Sequence, residues 1–132
     1  MDQEPLVTEQ IEAGQRFIEE FESRYPVQAA FWLKATEDSV WYLYVASDRI
    51  TDENFDVAYG EVLRLSQRMK YPNFDPFRVN VIGVENPLAK AALEIYRRYP
   101  EGVPARAGVG MFGLRGAEGV YLYPPPAAAV RN

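Results

Sequence analysis

The chain has 132 residues, 48% of them hydrophobic and 25% charged, with a net charge of −5. This is the composition of a folded globular chain, long enough for one domain with a sizeable core, and not of a disordered one. It contains neither cysteine nor histidine, which excludes disulfides, thiolate and Ser–His–Asp catalysis, zinc held by nitrogen or sulfur, and haem on a His or Cys ligand.

Sites for hard cations made of Asp and Glu remain open, but no cofactor or metal set is specified. The acidic balance argues against nucleic acid and against anionic membrane surfaces as partners. No run approaches the roughly 18 apolar residues that span a bilayer. The first residues, Met1-Asp2-Gln3-Glu4-Pro5, lack the apolar core of a secretion signal. A soluble, cytoplasmic protein is the resulting expectation, with loose termini at about 1–5 and 127–132 of a single domain spanning 1–132.

In chain order, Ile11, Gly14, Phe17, Ile18, Phe21 and Tyr25 mark one side of a helix predicted over about 6–24. Glu12, Gln15, Glu19, Glu20 and Glu22 cover its other side, as a solvated face does. Two apolar runs follow, Val27 to Ala35 and Val40 to Ala46, separated by Thr36-Glu37-Asp38-Ser39. A four-residue polar loop between such runs predicts a hairpin. Its register sets Leu33 opposite Tyr42 and Phe31 opposite Tyr44. One side then carries Ala29, Phe31, Leu33, Val40, Tyr42 and Tyr44. The other carries Ala30, Trp32, Lys34, Trp41, Leu43 and Val45. Both sides are apolar, so both require cover, and helices could supply one while a second chain met the other.

The strand over 40–46 leads into an amphipathic helix, and these two form the unit on which its neighbours pack. Thr51 or Asp52 is placed to cap the helix, and Asp52, Glu53 and Asp56 suit the positive end of its dipole. Phe55, Ala58, Tyr59, Val62, Leu65, Ser66 and Met69 form its apolar stripe. A connector containing Pro72 and Pro76 leads to a strand predicted over 77–84. Asn86-Pro87 is a strong helix start, with Leu88, Ala91, Ala92, Ile95 and Tyr99 at helical spacing. Arg24-Tyr25-Pro26, Lys70-Tyr71-Pro72 and Arg98-Tyr99-Pro100 close the three helices in the same way, with a cation in the last turn and a Pro that stops it. Their spacings, 46 and then 28 residues, are too unequal for a repeat. Further on, a second hairpin is predicted, about 107–113 with 119–123.

The fold expected is α+β, in the order α-β-β-α-β-α-β-β, with a mixed, roughly five-stranded sheet and three helices packed on it. Gly108-x-Gly110-x-x-Gly113 matches the spacing of a dinucleotide-binding loop but lacks the helix and the distant acidic residue that the chemistry needs. No catalytic residues and no metal ligands are assigned.

Two functional readings remain. The first is a non-catalytic interaction or scaffold module that self-associates as a homodimer through the aromatic hairpin, with Trp32, Lys34 and Trp41 at the surface. The second is a binding domain, or an enzyme independent of His and Cys, for a small phosphate or carboxylate ligand. It would use Arg106 and Arg115, which bracket the glycine-rich stretch, with Asp48 and Asp52 beyond the end of the central strand. Asp48, Asp52, Glu53 and Asp56 could also hold Mg²⁺ or Ca²⁺.

Overall fold

A computed structural model describes residues 8–35, 40–69, 74–98 and 117–124. Its elements are α1 (Thr8–Phe21), β1 (Ala29–Ala35), β2 (Trp41–Ser47), α2 (Phe55–Met69), a 3₁₀ turn (Pro76–Arg78), β3 (Val79–Gly83), α3 (Pro87–Arg98) and β4 (Ala117–Leu122). The fold is α+β. Among the described residues the sheet has four strands, in the order β3-β2-β1-β4, rather than the five expected. The first strand of the second predicted hairpin, about 107–113, lies outside the described residues.

The first hairpin has the register that its sequence requires, with Leu33 opposite Tyr42, Phe31 opposite Tyr44 and Lys34 opposite Trp41. β3 joins β2 in parallel, and β4 joins β1 antiparallel. It follows that β2, β3 and β4 all run the same way. The crossover through α2 moves from β2 outward to β3. The crossover through α3 returns from β3 past two strands to β4. Connections of this kind are right-handed, so two that travel in opposite directions must place their helices on opposite faces.

The packing agrees. α1 and α2 cover one face, where Phe17, Phe21, Val62 and Leu65 bury Ala30, Trp32, Leu43, Val45, Val79 and Val81. α3 covers the other, where Ala89, Ala92, Ile95 and Tyr96 pack on Ala29, Phe31, Leu33, Ala46 and Leu122. Cover for the second side of the hairpin therefore comes from α3 of the same chain. Among the described residues no helix is long and apolar enough to cross a membrane.

Tyr123, just past β4, ties the layers together. Its hydroxyl accepts a bond from Trp32 Nε1–H at 2.9 Å and donates to the Ile11 carbonyl of α1 at 2.8 Å. Its own carbonyl accepts from the Tyr96 hydroxyl of α3 at 3.0 Å. Gly14 is required at this point, because a Cβ there would lie 2.3 Å from the Tyr123 hydroxyl. Burial pushes the phenol groups of Tyr96 and Tyr123 well above the ordinary tyrosine range, so both stay neutral and can donate.

Candidate functional site

The helix starts shape the end of the sheet where β2 and β3 finish. Asn86 caps α3 as expected, its side chain accepting from Leu88 N–H at 2.8 Å, with Pro87 at the first helical position. At α2 the cap differs from the sequence reading. The helix begins at Phe55, and the Ala58 amide bonds to the Asn54 carbonyl, so Asn54 holds the cap position in place of Thr51 or Asp52. The Asn54 side chain turns back, accepting from Thr51 N–H and donating to the Arg49 carbonyl, and so locks the loop after β2.

Because α2 and α3 leave on opposite faces, the loops after β2 and β3 diverge. A half-open cleft of about 620 Å³ lies between them, lined by Asp48, Ile50, Thr51, Asp52, Phe55, Val81, Ile82, Gly83, Val84, Glu85 and Asn86. This is the crevice that open sheets form beyond the carboxyl ends of adjacent parallel strands. Gly83 holds its floor shut. A Cβ there would meet the Ile50 carbonyl oxygen at 2.7 Å, so the two backbones are in direct contact.

The structure brings Asp48 and Asp52 together on this cleft and adds Glu85 and Asn86, which the sequence reading had not included. The same rule about strand ends, applied to β3 as well as β2, would have found them. Glu53 and Asp56 are not on its lining. Arg106 and Arg115 lie outside the described residues. Among the described residues the lining carries three carboxylates and no lysine or arginine. A phosphate or carboxylate placed there would meet like charge from these three. Among the described residues no three such groups converge closely enough to hold a metal ion.

Trp32, Lys34 and Trp41, expected at an interaction surface, are only 3%, 6% and 9% exposed. Trp32 packs in the core and bonds Tyr123, and the Trp41 ring reaches across β1 to lie against Gly119. The chain's own elements cover them.

The exposed aromatics lie elsewhere. Phe77, expected inside a strand, instead occupies the 3₁₀ turn, which Asp75 caps by accepting from Phe77 N–H and which Pro76 starts. Its ring is 76% exposed, and that of Phe55, expected on the core stripe of α2, is 44% exposed. Tyr59 joins the two. Its ring stacks on Phe55 at a centroid distance of 6.3 Å, and its hydroxyl donates to the Pro76 carbonyl at 2.9 Å, next to Phe77. Burial, and then the nearby Asp75 charge, raise the Tyr59 pKa, which keeps that donor protonated.

The result is an aromatic ledge, with Phe55 and Tyr59 stacked at the start of α2 and Phe77 on the 3₁₀ turn that Tyr59 bonds, and Phe55 is shared between ledge and cleft.

The chain matches no known protein family, no curated protein and no solved structure. Function must therefore be argued from the site.

Proposed function

We propose that this is a non-catalytic recognition module that binds another protein through the ledge of Phe55, Tyr59 and Phe77. The observation that carries this reading is the exposed Phe77 ring, held on a capped 3₁₀ turn while the rings of Phe17, Phe21 and Phe31 are fully buried. Exposed apolar side chains grouped on one surface, and aromatic ones above all, are what an interface anchor offers. The composition supports it too, because without His or Cys the imidazole base and the thiolate nucleophile are missing. Self-association through Trp32, Lys34 and Trp41 is not favoured, since those side chains are already covered within one chain.

The test is site-specific photo-crosslinking in cells. A photoreactive residue at position 77 is compared with one at Glu12, an exposed site on α1. The expected result is discrete protein adducts at position 77 that disappear when Phe55→Ser is added. Adducts no more abundant at 77 than at 12 would refute the reading.

A further inference from the structure

We infer that the ledge and the adjoining cleft together receive a basic segment of a partner protein, which lays apolar side chains on Phe77 and sends a lysine or arginine into the cleft. The inference rests on the recognition reading above and goes on to name the chemistry of the partner. Its argument is charge complementarity joined to an apolar surface. Phe55 is common to both parts, since it stacks on Tyr59 and also lines the cleft. The cleft is lined both by the apolar side chains of Ile50, Phe55 and Val84 and by the carboxylates of Asp48, Asp52 and Glu85.

A cleft lined by apolar side chains and carboxylates together matches a side chain that has a methylene stem and a cationic head. The Phe55 ring adds a face on which such a head can rest. Local structure does not use up the carboxylates of Asp48 and Asp52. Asn54 holds the cap position of α2, and neither carboxylate has a hydrogen bond or ion pair among the described residues. Glu85 has one solvent-exposed contact, 3.5 Å from Lys90, which contributes little. At the other end of the ledge, Asp75 stands beside Phe77. A second copy of this chain is a poorer occupant, because it brings the same net charge of −5.

The experiment is an NMR titration of the whole chain at low salt with three probes. These are a hexapeptide alternating leucine and arginine, its counterpart with glutamine in place of arginine, and spermidine. The expected result is saturable shifts of the Phe77, Gly83, Val84 and Asn86 amides with the arginine peptide. Binding should be about tenfold weaker for the glutamine peptide and for the Asp48→Asn and Asp52→Asn variants, and should weaken as salt rises. Equal binding of the arginine and glutamine peptides would overturn the charge argument. If that binding is lost in Phe77→Ser, the recognition reading survives alone. Shifts with spermidine that match those with the arginine peptide would make the cleft a small-cation site and overturn the inference. No shift with either peptide would overturn it as well, whereas the crosslinking at position 77 tests the parent reading separately.

Discussion

Replacing Tyr123 with phenylalanine removes one hydroxyl at the point where α1, β1 and β4 meet. The loss strands the Trp32 Nε1–H, whose acceptor at 2.9 Å is that oxygen. The Ile11 carbonyl loses a second donor but keeps its place in the helix ladder. A buried donor left without a partner costs about 1–3 kcal/mol, and the lost bond about 1 kcal/mol more. The expected loss is about 2–4 kcal/mol, which for a chain of this length lowers Tm by about 7–14 °C. Gly14→Ala in the native background should cost about 1–3 kcal/mol, because its Cβ would lie 2.3 Å from the hydroxyl.

In the Tyr123→Phe background the 2.3 Å obstruction is gone and only a milder close contact with Trp32 is left. The next atoms, of Trp32, are 3.3 Å away, and the helical advantage of Ala over Gly, about 1 kcal/mol, is recovered. The two changes should therefore be non-additive by about 2 kcal/mol, with Gly14→Ala neutral or stabilising once the Tyr123 hydroxyl has been removed. Urea unfolding of the four proteins, followed by tryptophan fluorescence, measures this. Additive losses, or a Gly14→Ala protein as stable as the native one, would show that the hydroxyl does not press on α1.

Asn86→Ala should cost about 1 kcal/mol by removing the cap on Leu88 N–H, seen as a lower urea midpoint with an unchanged slope. Gly83→Ala should destabilise by about 1–3 kcal/mol by forcing Ile50 away, and NMR shifts should extend through the loop at 48–54. The buried phenols predict an alkaline transition. The folded pKa values of Tyr96 and Tyr123 lie above the ordinary value near 10, so the unfolded chain releases those protons first. Their contribution is complete below about pH 10 and is lost as pH climbs beyond it. Tyrosinate absorbance of these two should rise together with unfolding, and a separate, ordinary titration in the folded state would contradict their burial.

The hairpin was legible because two continuous apolar runs flank a loop of fixed length, which leaves one register. The three helices were legible from their apolar spacing, although α1 ends at Phe21, before Arg24-Tyr25-Pro26 and with no cation in its last turn. What spacing does not encode is the face of the sheet on which a helix lands. The sequence reading therefore gives the Trp32, Lys34 and Trp41 side to an outside partner, where α1 and α2 pack. The crossover rule would have resolved this, but only once strand order was known. Phe77 was misread because Arg78 and Asn80 alternate with Val79 and Val81, while Asp75-Pro76, a short helical start, was read as part of a connector. Phe55 has core spacing but sits at the first residue of α2, beyond the cover that α1 gives. Of the binding residues expected, Asp48 and Asp52 line one cleft, while Arg106 and Arg115 lie outside the described residues.

The bond from Tyr123 to Ile11 spans 112 residues. At ordinary synthesis rates a growing chain holds α1 for roughly 6–22 s before the residue that fastens it exists. Once Trp32 has been made, its indole donor lacks the Tyr123 acceptor for the 91 residues of synthesis up to Tyr123, and the edge of β1 lacks β4. The nascent protein is thus most exposed to misassociation late in its synthesis, and a holdase that recognises apolar strand edges would act on it then.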